Sequence, residues 1–219
     1  MRATPIRLVL FDLDDVLYDY DRARRIRHLA AATGLAEAAI ERAIWTEGVE
    51  DAADAGAFAD VPPYLAAWSA ALGVKVDLDL WTAARRVAMT PIEGSLALAR
   101  RLADAGTTVA ILTNNGPAVH AMRERLVPEA AALAGGRFLV SSAFGTRKPD
   151  PAVYLRALDR LGFAPDETLF VDDRADNVAG ARDAGLDGHR FVGPDGLAAA
   201  LAARDLPQPG ADRPRSHRA

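Results

Sequence analysis

The stretch Ile6-Arg7-Leu8-Val9-Leu10-Phe11-Asp12-Leu13-Asp14 decides the fold. Leu8 to Phe11 is an unbroken apolar run, the pattern of a parallel strand buried on both faces. Two carboxylates follow at once. In open α/β sheets ligands bind beyond the carboxyl ends of the strands. Alternation along an extended chain turns Asp12 and Asp14 to the same side. Two charges ~4 Å apart at an effective dielectric of ~20 repel by roughly 4 kcal/mol. A divalent cation offsets that repulsion, and hard oxygen ligands suit Mg²⁺.

Later segments repeat the arrangement. Thr108–Leu112 reads as an apolar strand ending in Thr113-Asn114-Asn115-Gly116, and Thr168–Val171 as one ending in Asp172-Asp173. Phe138–Ser141 is a short strand and His189–Val192 a weak one. Helices are predicted over Ser95–Ala105, Pro117–Leu126, Pro151–Leu161, Ala175–Ala184 and Asp195–Ala203, some opened by Pro or followed by Gly. This alternation predicts a doubly wound parallel α/β sheet. From about Asp21 to Ala88 the character differs. Helices are predicted over Arg22–Ala32, Ala36–Thr46, Pro62–Leu72 and Leu78–Val87, punctuated by Gly34, Gly48, Gly56, Gly73 and Pro62-Pro63. The expected organisation is an α/β core of residues 1–17 and 89–206, a small α-helical insert of residues 18–88, and a Pro-, Arg- and Asp-rich tail, 207–219, that reads as disordered.

Composition narrows the function classes. Half of the 219 residues are hydrophobic, enough for a sizeable core, and the net charge is −4. There is no basic face for nucleic acid and no stretch near the ~20 apolar residues of a membrane span. The first residues lack the pattern of a signal peptide, so the expected location is cytoplasmic. The absence of cysteine excludes a disulfide, a thiolate metal site and a cysteine nucleophile. All but two of the 26 basic residues are arginine; the exceptions are Lys75 and Lys148. Lys148 stands before the stiff segment Pro149-Asp150-Pro151, where a compact ammonium rather than a planar fork is called for.

Singly, these features have plainer readings. Asn115-Gly116 is strong turn chemistry, Asp172-Asp173 reads equally as a helix cap, and an isolated lysine is usually solvated. Arg22, Arg24, Arg25 and Arg27 spread around a helix and read as a solvated face. Trp45, Trp68 and Trp81 read as core of the insert. Tyr18, Tyr20 and Arg22 follow the first carboxylates, where one of them is expected to face the site.

Together, Asp12-Leu13-Asp14-Asp15-Val16, Leu112-Thr113-Asn114-Asn115, Arg147-Lys148-Pro149-Asp150 and Phe170-Val171-Asp172-Asp173 resemble the four ordered motifs of the haloacid dehalogenase-like hydrolase superfamily. The resemblance runs from about Ile6 to about Val192 and includes a helical cap inserted after the first strand. It implies a Mg²⁺-dependent phosphatase acting on a small phosphorylated metabolite such as a sugar phosphate. It further implies that Asp12 is the nucleophile and Asp14 the general acid and base. Thr113, Asn114 (through its backbone N–H) and Lys148 would bind the phosphoryl group. Asp12, Asp173 and the Asp14 backbone carbonyl would hold Mg²⁺, with Asp172 acting through a metal-bound water or as support from behind and Asn177 holding the loop by hydrogen bonds. Asp15 stands where the family often has Gly and reads as a turn residue; Asn177 stands where it often has Asp. The resemblance also takes in dehalogenases and sugar phosphomutases. Asp14 and Asp173 argue against a dehalogenase, whereas a phosphomutase uses the same carboxylates. A binding protein with a vestigial site is opposed by the filling of every catalytic position. The substrate and the oligomeric state are not legible.

Overall fold

The computed structural model describes residues 4–207. Among these, the chain forms strands β1 (Leu8–Phe11), β2 (Tyr18–Tyr20), β3 (Met89–Pro91), β4 (Thr108–Thr113), β5 (Phe138–Val140), β6 (Thr168–Asp172) and β7 (Asp187–Arg190). Five of them make one parallel sheet in the order β5-β4-β1-β6-β7. β1 is the central strand, and its four residues are all buried. Successive side chains enter opposite faces: Val9 and Phe11 join one apolar cluster with Val109, Ile111 and Val171, while Leu8 and Leu10 join another with Ala110, Leu112 and Phe170. The continuous apolar run is therefore two half-cores read alternately.

Helices α1 (Arg22–Thr33), α2 (Glu37–Glu41), α3 (Val49–Asp54), α4 (Val61–Leu72) and α5 (Leu78–Val87) lie between β1 and the rest of the sheet, as an insert. Helices α6 (Glu93–Asp104), α7 (Pro117–Leu126), α8 (Pro128–Ala134), α9 (Pro151–Leu161), α10 (Ala175–Asp183) and α11 (Pro194–Ala202) follow. α9 and α10 contribute Val153, Tyr154, Ala157 and Ala181 to one face of the sheet, and α6, α7 and α11 contribute Leu96, Val119 and Leu197 to the other. This is the doubly wound architecture expected. No helix of the described residues is long and apolar enough to cross a membrane.

Several boundaries differ from expectation. The helix predicted over Ala36–Thr46 is α2 followed by a π-helical turn, Arg42–Thr46, in which the Glu47 N–H donates to the Arg42 carbonyl at 2.8 Å. The wider turn brings residues five apart into line, so Trp45 packs edge-on against Trp68, at 6.0 Å between ring centroids, while Ile40 and Ile44 stay buried. α3 and α8, each of fewer than eight residues, were not foreseen. β7 lies at Asp187–Arg190 rather than His189–Val192. Arg25 is a correction to the solvated reading of the α1 arginines: it is buried between Trp68 and Trp81, with Cζ 4.9 and 5.0 Å from their ring centroids. Trp68 and Trp81 are fully buried in the insert and Trp45 partly so, in keeping with their reading as cap core. Apart from Pro207, the tail lies outside the described residues.

β2 and β3 form an antiparallel pair that the sequence did not announce, with Tyr18 opposite Pro91 and Tyr20 opposite Met89. The insert leaves and rejoins the core through this ribbon. Asp15, at φ 61, turns the chain toward it. Its carboxylate accepts from the Tyr20 N–H at 3.0 Å and its own N–H donates to the Tyr18 carbonyl at 2.6 Å. An aspartate tolerates this left-handed conformation better than most side chains.

Candidate active site

Because β1 lies between β4 and β6 in register, the polar residues that end these three strands meet above one edge of the sheet. They line a cleft of about 740 Å³ with Asp12, Asp14, Thr113, Asn114, Lys148, Asp173 and Asn177 in its wall. Of the eight residues to which the resemblance assigns a site role, all but Asp172 thus line one cavity. Asp172 lies directly behind it, fully buried and bonded to Lys148.

Lys148 is the hub. Its ammonium is 2.8 Å from Asp12 Oδ1 and 2.7 Å from Asp172 Oδ2, and it is buried. Burial alone would lower its pKa, but the two carboxylates more than reverse this and hold it charged. The segment that carries it is clamped by Asn114, whose side chain accepts from the Lys148 N–H and donates to the Lys148 carbonyl, both at 2.9 Å. Asn114 therefore has a side-chain task besides any its backbone performs.

Asp172 and Asp173 are adjacent but unlike. The Oδ1 atom of Asp172 accepts from the Arg174 N–H at 2.9 Å and from Asn177 Nδ2 at 3.0 Å; its Oδ2 accepts from Asn177 Nδ2 at 3.0 Å and from Lys148. A carboxylate offers about four lone-pair positions, and those of Asp172 are taken. Asp173 is half-buried and accepts no hydrogen bond from another side chain of the described residues, so its oxygens are available to a cation. Its pKa is raised by burial and by the neighbouring Asp172 and Asp15.

Asp12 Oδ1 accepts from the Leu13 N–H at 2.7 Å as well as facing Lys148, whereas Oδ2 takes no donor among the described residues. Burial, together with Asp172 and Asp14, raises the Asp12 pKa against the pull of Lys148. Carboxylate oxygens of Asp12, Asp172 and Asp173 lie within 4.8 Å of one another. This donor set fits a hard divalent cation, which would offset the crowding that raises Asp12 and Asp173. Since Asp172 is saturated by hydrogen bonds, Asp12 and Asp173 are the members free to ligate.

Asp14 turns to a different partner. Arg85 Nη2, from α5 of the insert, donates to both its oxygens, at 2.8 and 2.6 Å. Asn115 Nδ2 reaches Asp14 Oδ2 at 3.4 Å and donates to Thr113 Oγ1 at 2.8 Å. Arg85 is buried, and its Cζ lies 4.0 Å from the centroid of the Tyr20 ring. Sequence reasoning missed Arg85. It is one of many arginines, 71 residues from Asp14, and no local pattern marks it. Tyr20 was among three residues expected near the site, and it is the one beneath Arg85. The insert reaches the cleft a second time through α3: Arg147, next to Lys148, is 2.6 Å from Asp51 and 3.8 Å from Asp54.

Comparison with known proteins agrees with this geometry. The sequence profile of haloacid dehalogenase-like hydrolases matches residues 6–185. A phosphatase of Mycobacterium tuberculosis is 33% identical over 218 residues, covering 94% of this chain and 96% of that protein. A HAD-like family hydrolase of Porphyromonas gingivalis superposes with a TM-score of 0.75, at 22% identity, over 94% of this chain and all of that one (100%). A HAD family enzyme of Bacteroides thetaiotaomicron, solved with magnesium and inorganic phosphate, superposes with a TM-score of 0.68 at 20% identity, over 84% of this chain and 93% of that one.

Proposed function

The chain belongs to the haloacid dehalogenase-like hydrolase family, and from that membership we propose that it is a Mg²⁺-dependent phosphatase acting on a small hydrophilic phosphomonoester, such as a sugar phosphate. The observation that carries the reading is the state of Asp12. Lys148 and the Leu13 N–H hold one of its oxygens and leave the other without a donor among the described residues, at the end of the central strand. That is the arrangement of a fixed nucleophile rather than a structural carboxylate. The phosphatase homologue that spans nearly the whole chain supports the same class.

In this reading the free oxygen of Asp12 attacks phosphorus and the bond to the leaving oxygen breaks. Asp14 gives that oxygen its proton and becomes a carboxylate. Asp14 then takes a proton from water as the water attacks the aspartyl-phosphate, and phosphate leaves while Asp12 is regenerated. Thr113, the Asn114 N–H and Lys148 bind the phosphoryl oxygens. Asp12, Asp173 and the Asp14 carbonyl would hold Mg²⁺, with Asp172 and Asn177 fixing Lys148 and the loop behind them. Bound there, Mg²⁺ would supply positive charge to the phosphoryl group. Residues 18–88 act as a cap that covers the cleft. Its wall is almost wholly polar: Asp51 and Asp54 from α3, with Arg147, Asp150, Arg174 and Asp176. Such a wall suits a hydroxylated leaving group better than an apolar one.

The test is release of inorganic phosphate from a panel of phosphorylated metabolites and an aryl phosphate, with Mg²⁺ and with chelator. Release that requires Mg²⁺ and disappears in Asp12→Asn, with the circular dichroism spectrum unchanged, is the expected result. Turnover by Asp12→Asn at the unaltered rate would end the proposal.

A further inference from the structure

We infer that Arg85 is a positioning residue for the proposed reaction: a guanidinium carried by the insert fixes the Asp14 carboxylate where it must accept a proton from the attacking water. The inference rests on the acid and base role proposed for Asp14. Three observations support it. Arg85 Nη2 lies between the two Asp14 oxygens, at 2.8 and 2.6 Å, and so holds both of them at one point. The guanidinium is itself held, with its Cζ 4.0 Å from the centroid of the Tyr20 ring and its side chain only 4% exposed, against 23% for Asp14. The pair sits where insert meets core: Tyr20 is the last residue of β2 in the joining ribbon, and Arg85 lies in the last turn of α5, which leads into β3.

The half-reaction at issue balances simply. The water oxygen bonds to phosphorus, the bond from phosphorus to the Asp12 oxygen breaks, and the water proton passes to Asp14. Asn115 adds a weaker guide at 3.4 Å and links Asp14 to Thr113.

The experiment is rapid mixing of the full chain and Mg²⁺ with 4-nitrophenyl phosphate, whose phenolate leaves without needing a proton. It compares the wild type, Asp14→Asn, Arg85→Met, Arg85→Lys and the double variant Asp14→Asn/Arg85→Met. Arg85→Lys keeps a buried cation beside Asp14, so the test survives if the methionine variant does not fold. In Arg85→Met the burst of nitrophenolate is expected to keep its rate, while the steady rate falls by about 100-fold, as for a group misplaced by ~1 Å. Arg85→Lys shows the same split in milder form, and the double variant is no slower than Asp14→Asn. Burst and steady rate slowed alike in the Arg85 variants, or losses that multiply in the double variant, would reduce Arg85 to a support of the insert. Asp14→Asn turning over at the wild-type steady rate would instead overturn the role of Asp14, and that of Arg85 with it.

Discussion

Gly180 of α10 lies so close to Pro149 that a Cβ at position 180 would sit 2.0 Å from the Pro149 carbonyl oxygen. No rotamer relieves that clash, because the obstacle is backbone. The displaced segment is the one that holds Lys148 between Asp12 and Asp172. Gly180→Ala is therefore expected to lower turnover by about 10–100-fold, although residue 180 does not touch the cleft. A matched fall in melting temperature and in kcat would register the shift. An alanine variant with wild-type kcat would mean that α10 moves instead of the Lys148 segment.

Removing the Lys148 ammonium leaves two buried carboxylates facing each other. Breaking a buried ion pair from one side typically costs about 3–5 kcal/mol. Lys148→Met should lose stability on that scale in urea unfolding, and activity with it. Lys148→Arg should not rescue activity, because a forked guanidinium cannot sit as a point between Asp12 and Asp172.

Divalent cation should stabilise the fold. A ligand at ~100 times its dissociation constant adds about 2.7 kcal/mol, visible as a higher melting temperature with Mg²⁺ than with chelator. Asp173→Asn should abolish that difference while leaving the chelated protein at least as stable as the wild type, because it relieves the crowding with Asp172 and Asp15. A Mg²⁺-dependent shift of undiminished size in Asp173→Asn would remove Asp173 from the metal site.

Asp54 should make stability depend on pH. Its pKa is raised well above 3.8 by burial and by Glu50, with Arg147 opposing. The folded state thus holds a proton that the unfolded state gives up. The resulting stabilisation is complete below 3.8 and is lost as pH rises through the raised value. Asp54→Asn should therefore gain stability relative to wild type as pH climbs from roughly 4 to 7, followed by thermal melts. The opposite trend would mean that Arg147 dominates.

How much was legible follows from where information sits in the chain. The strands β1, β4 and β6 could be read because each is a short apolar run followed at once by its polar cargo, so strand, site residue and spacing are all local; β7, Asp187-Gly188-His189-Arg190, has no apolar run and was expected two residues later. Helices α5, α7 and α9 likewise match expectation at both ends, set by Pro117 and Pro151 at two starts and Gly162 at an end. The strands β2 and β3, three residues each, carry no periodicity and exist only because residues about 70 apart pair. The same distance hides Arg85. Arg25 misled for a related reason: burying an arginine requires the aromatic faces of Trp68 and Trp81 and the carboxylate of Glu50, none of them neighbours in sequence.

The β2–β3 ribbon has a consequence for the descent of such enzymes. Paired strands stand ~5 Å apart, so the chain departs from the core and returns to almost the same point. A segment of any length can be spliced there without changing the order β5-β4-β1-β6-β7, since closing a longer loop costs only about 0.6 kcal/mol per doubling. The sheet and the residues at its strand ends can then be inherited intact while the insert is replaced wholesale. In this chain the exchangeable part also carries Arg85, which reaches back to Asp14.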